Sequence, residues 1–262
     1  MLTITIILII CGVFVPLAIN KNSHIVNIFG VGSILGLSAK TIYQTIMNYL
    51  AQDGFLITSF FQIPIIILGI AGAFHSIGYL RGHWEHRRGL YWALYFLTIF
   101  GMLSVIEKFC SMSILGILLA WEMMSLASAG LVGFDTHSKQ TQRAFWTYLL
   151  ASNAGAAFIM LMFAATTVRP ILWIIFMIIG FGLKVGFPIL HVWLPQAHPA
   201  APAPVSAIMS GAMLNLGVLG IIFFSTPVAI LYSSLIGYIL VSLGVIGSLG
   251  GILFALGQRN IK

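Results

Sequence analysis

The chain has 262 residues, of which 60% are hydrophobic and only 6% are charged, and its mean hydropathy is +1.07. A soluble domain carries roughly 25% charged residues, so this composition excludes an aqueous globular protein and places the chain in a bilayer. The formal net charge of +7 comes from basic residues scattered over short loops without aromatic interleaving, which argues against nucleic acid as a partner.

Apolar runs fit to cross a membrane are predicted, in chain order, at 2–19, 25–47, 61–80, 90–106, 113–134, 145–168, 171–194, 205–224 and 228–256. The expected fold is therefore all-α, a polytopic transmembrane helix bundle of about nine spans. The first run follows Met1 with no basic segment before it and no small-residue cleavage site after it, so it reads as a retained span. Lys40, toward the end of the second span, is expected to snorkel to the outer interface. After the third span comes Arg81-Gly-His83-Trp-Glu85-His86-Arg-Arg88, whose histidines and glutamate suggest a metal. The adjacent basic residues oppose that reading and favour an interfacial anchor, and no metal is expected. Cys11 and Cys110 are too few for a disulfide framework. Gly-x-x-x-Gly spacings at Gly32/Gly36, Gly182/Gly186 and Gly247/Gly251 permit close helix contact.

With this many spans the termini face opposite sides. Lys21, Arg81, Arg87, Arg88, Lys139, Arg143, Arg259 and Lys262 fall on one side, and Lys108 and Arg169 on the other. The positive-inside rule then predicts a multi-pass inner-membrane protein with its amino terminus outside and its carboxyl terminus in the cytoplasm. No soluble domain interrupts the spans, so no cofactor is expected to be bound by this chain, and any redox chemistry must sit on a partner.

Charges at bilayer depth carry the functional reading, because each costs about 2.5 to 3.5 kcal/mol even on lenient insertion scales. Glu122 lies in Trp121-Glu122-Met-Met-Ser125, roughly 14 Å into the fifth span. Lys184 lies roughly 20 Å into the seventh, where Pro188 is expected to break the helix. If those spans touch, carboxylate and ammonium pair, and moving one partner switches the proton affinity of the other. The alternative is a static pair that fixes packing. Beyond the break stand His191 and His198, and an imidazole is the side chain that suits proton exchange in a wet half-channel. The alternative for His191 is a ring satisfied by a carbonyl freed at the proline, and for His198 a helix-end cap. Asn215 in the eighth span, with Ser206 and Ser210, can order water or bond across helices.

Trp121-Glu122-Met-Met-Ser-Leu-Ala-Ser, followed by Lys184 and then Pro188-Ile-Leu-His191-Val-Trp-Leu-Pro-Gln-Ala-His198-Pro-Ala-Ala-Pro202-Ala-Pro-Val-Ser206-Ala-Ile-Met-Ser-Gly211, closely resembles the proton-translocating antiporter-like subunits. That family comprises the large membrane subunits of complex I, Mrp-type cation/proton antiporters, and the membrane subunits of formate hydrogenlyase and hydrogenase 4. The resemblance implies two inverted five-helix repeats, each with a broken helix and a half-channel, of which this chain carries the first. The implied organisation is a single transmembrane domain, with spans 1–3 over residues 1–89, the antiporter-like repeat over 90–224, and the start of a second repeat over 225–262. It assigns the proton pathway to Glu122, Lys184, His191 and His198, and sets Asn215 where the family usually has a basic residue. Implied partners are other membrane subunits, peripheral hydrogenase or iron-sulfur subunits, and a separate chain supplying the second repeat. The implied role is that of a non-catalytic, proton-translocating subunit of a hydrogenase, formate hydrogenlyase or NADH dehydrogenase-like complex. An Mrp-like antiporter component and a non-conducting scaffold are the alternatives.

Overall fold

The computed structural model describes residues 2–19, 23–50, 55–83, 87–135, 138–165 and 169–257. The described part is an all-helical bundle. In chain order the helices are α1 (Leu2–Ala18), α2 (Ser23–Leu50), α3 (Phe55–His83), α4 (Arg88–Cys110), α5 (Ile114–Val132), α6 (Lys139–Ala165), α7 (Pro170–Val185), α8 (Leu194–Ala200) and α9 (Ala203–Gly257). Six of these, α2 to α6 and α9, are each long and apolar enough to cross a membrane, and the interrupted run from α7 through α8 makes a seventh. The chain is a multi-pass membrane protein. Large apolar side chains such as Ile28, Phe60, Leu115, Leu150 and Leu172 remain exposed, as a lipid-facing surface requires.

Helix α4 forms the axis of the bundle, and Tyr91, Trp92, Tyr95, Phe96, Met102 and Phe109 along it are fully buried. Small residues let neighbours approach it, because lipid supplies no hydrophobic drive and close van der Waals packing must do the work. Gly101 leaves room for the backbone of Met124 on α5, which a Cβ would meet at 2.9 Å. Trp92 covers Gly30 of α2 and gives its indole N–H to the Asn27 side chain at 2.9 Å. Helix α1 contains a π-helical turn, Ile10–Phe14, in which Gly12 lies directly under the ring of Phe96.

Several helix limits move outward from the predicted runs where polar ends continue the backbone ladder, whereas α5, Ile114–Val132, lies inside its predicted 113–134. Helix α6 begins at Lys139, before the apolar run, and α5 starts where the Ser113 hydroxyl accepts a hydrogen bond from the Gly116 amide at 3.3 Å. Such an N-cap satisfies one of the amides that every helix leaves open at its start.

The eighth and ninth predicted spans differ most from expectation, for α9 runs unbroken over 55 residues. A straight helix of that length measures about 80 Å, against a hydrocarbon core of about 30 Å. It is not straight. Gly217 packs on Val185 and Gly247 on Pro188, close neighbours in the chain, whereas a straight helix would hold those glycines about 45 Å apart. The run therefore folds back on itself, and the interval contains Pro227, which removes one amide from the helical ladder.

Candidate functional site

The seventh span is broken, and the break begins earlier than the proline. Helix α7 ends at Val185, and Gly186 takes the left-handed conformation at φ 80°. Its amide and that of Phe187 both return to the Gly182 carbonyl, at 2.8 and 3.1 Å, which closes the helix end. The Gly182/Gly186 pair thus caps a helix, where the spacing alone suggested contact between helices. Pro188 follows in irregular backbone. Ile189 has φ 74°, a strained position for a β-branched residue, and its side chain is exposed. A 3-10 turn, Leu190–Trp193, leads into α8. The Trp193 indole donates to the Leu183 carbonyl at 2.7 Å, satisfying one of the groups that the break leaves open.

This construction leaves Lys184 at the last turn of α7 and buried, with 3% of its surface exposed. Its ammonium donates to the Tyr148 hydroxyl of α6 at 2.9 Å and to the Ser125 hydroxyl of α5 at 3.2 Å. The ammonium also stands 4.9 Å from the centre of the Tyr148 ring and 6.0 Å from that of Trp121, within cation–π range. The Tyr148 oxygen continues the network to Ser128 at 2.8 Å and to the Met213 sulfur at 3.2 Å. Met213 closes a second π-helical turn, Met209–Met213, in α9. Such turns widen the helix locally and recur at functional sites.

Glu122 does not sit on Lys184. No ion pair joins them, and the half-buried carboxylate stands one helical turn from Ser125, within electrostatic range of the ammonium. A neutral hydroxyl shell therefore takes the place of the expected contact. Beside it, the Trp121 indole nitrogen is buried and meets no acceptor among the described residues.

The two sides of Lys184 are unlike. Toward the start of α7, Phe181 stacks on Phe224 at 5.7 Å, Trp121 meets Phe181 at 5.4 Å, and Phe109 closes on Phe224 at 5.4 Å. This aromatic plug contributes no titratable group. Toward the break, Tyr148 packs on Trp193 at 4.9 Å, and Trp193 stacks near His198 at 6.4 Å. The His198 Nδ1 shares a hydrogen bond with the Ser206 hydroxyl at 3.0 Å. His191 lies further out, lining a cleft of about 540 Å³ between the break and the folded-back arm of α9, with Phe254 at 6.3 Å.

Asn215 is not brought to Lys184. It is exposed, and its amide donates to the Gly211 carbonyl of the preceding turn at 3.0 Å, while Met213 faces Tyr148. Ser210 is likewise exposed and bonded back to Ser206. The suggested metal segment at 81–88 lies partly outside the described residues, and among the described residues no His, Cys, Asp and Glu side chains cluster as metal ligands. Sequence reasoning missed Tyr148, Ser128 and Trp193. The available signal was weak: Ser125 and Ser128 share a face with Glu122 at spacings of three and six, and Tyr148 stands only three residues into its apolar run.

Residues 162–262 match the family described as NADH:quinone oxidoreductase/Mrp antiporter, TM. Hydrogenase-4 component B of Escherichia coli (strain K12) is 28% identical over 226 residues, which cover 79% of this chain and 33% of that protein. NADH-quinone oxidoreductase subunit N of Desulforudis audaxviator (strain MP104C) is 26% identical over 224 residues, 76% of this chain and 43% of the relative. NAD(P)H-quinone oxidoreductase chain 4 2 of Thermosynechococcus vestitus (strain NIES-2133 / IAM M-273 / BP-1) is 41% identical over 88 residues, 32% of this chain and 16% of the relative. The chain spans less than half the length of each of these relatives.

Proposed function

The chain belongs to the antiporter-like family of membrane subunits, and from that premise we propose that it carries part of a proton pathway in a hydrogenase, formate hydrogenlyase or NADH dehydrogenase-like complex. The observation that carries this reading is Lys184, a buried ammonium at a helix break, solvated by two hydroxyls and lying within electrostatic range of an unpaired carboxylate.

Two arrangements of this site differ in how firmly the lysine keeps its proton. An ammonium facing a carboxylate is held in its charged form by that charge. A hydroxyl gives the ammonium a hydrogen-bond acceptor but no opposing charge. Glu122 and Ser125 are three residues apart on one helix, so exchanging one for the other in front of Lys184 takes a turn of α5 by about 60° together with a shift of about 4.5 Å along its axis. The unsatisfied Trp121 indole offers a donor to a further acceptor at this point. In this mechanism a redox step on a partner subunit drives the exchange, and the family membership supplies that coupling as part of the proposal.

Access belongs to the side of the break. The aromatic plug separates Lys184 from the start of α7, whereas Tyr148, Trp193, His198 and His191 line the route toward the connection. No continuous hydrogen-bond chain joins Lys184 to His198 among the described residues, so water completes that route. In the proposed orientation the amino terminus is outside and the break faces the cytoplasm, following the basic residues Arg81, Arg87, Lys139 and Arg143. Each proton exported against 100 mV costs about 2.3 kcal/mol. Other membrane subunits and peripheral redox subunits are the proposed partners, with the cofactors on those partners.

The test is proton translocation by the assembled complex in sealed vesicles, read with a pH-sensitive dye against turnover of the electron donor. Lys184→Ala is expected to abolish the proton signal per electron while the complex still assembles. An unchanged ratio would reduce the chain to a scaffold.

A further inference from the structure

A second polar site lies apart from Lys184, at the end of the bundle where α2 and α4 finish and α3 begins. A crevice of about 100 Å³ opens there, lined by Lys40, Thr45, Gln62, Ser104 and Glu107 over buried Leu37 and Leu103. A space of this size admits several waters or one small polar group.

The lining offers one ammonium and several amide and hydroxyl donors, beside one carboxylate. The Thr45 hydroxyl donates either to the Thr41 carbonyl or to the Gln62 side-chain oxygen, each at 2.8 Å. The contact with Gln62 uses the amide oxygen and leaves the two N–H groups of its nitrogen free to donate. Neither this nitrogen nor the Lys40 ammonium meets an acceptor among the described residues. Glu107 borders the same space, but its carboxylate is held by Lys108 at 3.5 Å and leaves Lys40 without an ion pair. An ammonium and an amide nitrogen facing one crevice form an anion site. Exposed Ile42, Ile46 and Phe60 on the same two helices form apolar flanks.

We propose that this crevice holds the phosphodiester of a glycerophospholipid, bound by Lys40 and Gln62, with the acyl chains along Ile42, Ile46 and Phe60. A lysine beside an amide donor can hold a lipid phosphodiester by charge-assisted hydrogen bonds, and the apolar flanks select a lipid over a free anion. The site is independent of the Lys184 pathway.

Native mass spectrometry of the purified full chain, titrated with phosphatidylglycerol and with diacylglycerol of the same acyl chains, tests the assignment. Phosphatidylglycerol is expected to be retained and diacylglycerol lost. Lys40→Met is expected to weaken retention about fivefold, and Lys40→Arg to keep it. Excess inorganic phosphate is expected to leave the lipid in place. Equal retention by the Lys40→Met and unaltered chains overturns the proposal, and displacement by inorganic phosphate reassigns the crevice to a free anion. If Lys40→Met does not purify, Gln62→Leu removes the second donor with the charge intact, and unchanged retention there overturns the proposal equally.

Discussion

Lys184 on α7 donates to the hydroxyl of Tyr148 on α6 at 2.9 Å, so the buried cation is held first by a neutral phenol on a neighbouring helix. The phenol has a single proton to give. With its oxygen accepting from Lys184, that proton goes either to Ser128 or to the Met213 sulfur. Tyr148 therefore joins α5, α6, α7 and the π-helical turn of α9 at one atom.

Tyr148→Phe removes that junction and keeps the ring. A hydrogen bond to a buried charge contributes about 1.5 to 3 kcal/mol, equivalent to roughly a tenfold to hundredfold loss if it acts in the rate-limiting proton step. Proton release per turnover in vesicles is expected to fall at least tenfold, with near-normal assembly on native gels.

Glu122→Gln separates a switch from a static pair. Breaking a formed buried ion pair costs about 3 to 5 kcal/mol. Here the carboxylate is half-buried and unpaired with Lys184, so thermal unfolding in detergent is expected to change by less than about 1 kcal/mol. Proton translocation is nonetheless expected to be lost. A large drop in melting temperature would restore the static pair.

Gly186→Ala tests the helix break. Its left-handed backbone costs a Cβ-bearing residue about 1 to 2 kcal/mol, and the added methyl also meets Leu194. The melting temperature is expected to fall, and Gly186→Asn to fall less, since asparagine tolerates this conformation. Equal stability of all three chains would show that the cap carries no weight.

Trp193→Phe keeps the stacking surface between Tyr148 and His198 but strips the donor from the Leu183 carbonyl. Leaving that group unsatisfied costs about 1 to 3 kcal/mol. Hydrogen exchange at the end of α7 is expected to accelerate, while exchange in α4 stays unchanged.

Phe224→Leu opens the aromatic plug next to Phe181 and Phe109. If the plug seals Lys184 from the far side, passive proton leak through vesicles containing this chain rises. A leak equal to that of the unaltered chain would place the seal elsewhere.

Charge and hydropathy made the spans, Glu122 and Lys184 legible, because ionised groups are rare enough in lipid to stand out singly. Pro188 announced the break, but Gly186 begins it, since glycine's left-handed freedom matters only once the chain turns. Ser125, Ser128 and Tyr148 stayed hidden because hydroxyls bond cheaply to their own helix and so occur throughout membrane spans. The outward face of Asn215 depends on the rotation of α9, which the π-helical turn resets. The reversal of α9 was legible as two apolar runs, although Pro227 bends the helix without ending it.

That reversal gives the molecule calipers across its weakest joint. One arm of α9 bears on Val185, just before the interruption, and the other on Pro188, just after it. Helices are stiff along their axes, so opening or closing the angle near Pro227 must stretch or slacken the short irregular link between those two points. Lys184 sits at the root of that link. A substitution that changes the angle near Pro227 is therefore expected to alter the geometry around Lys184 as well.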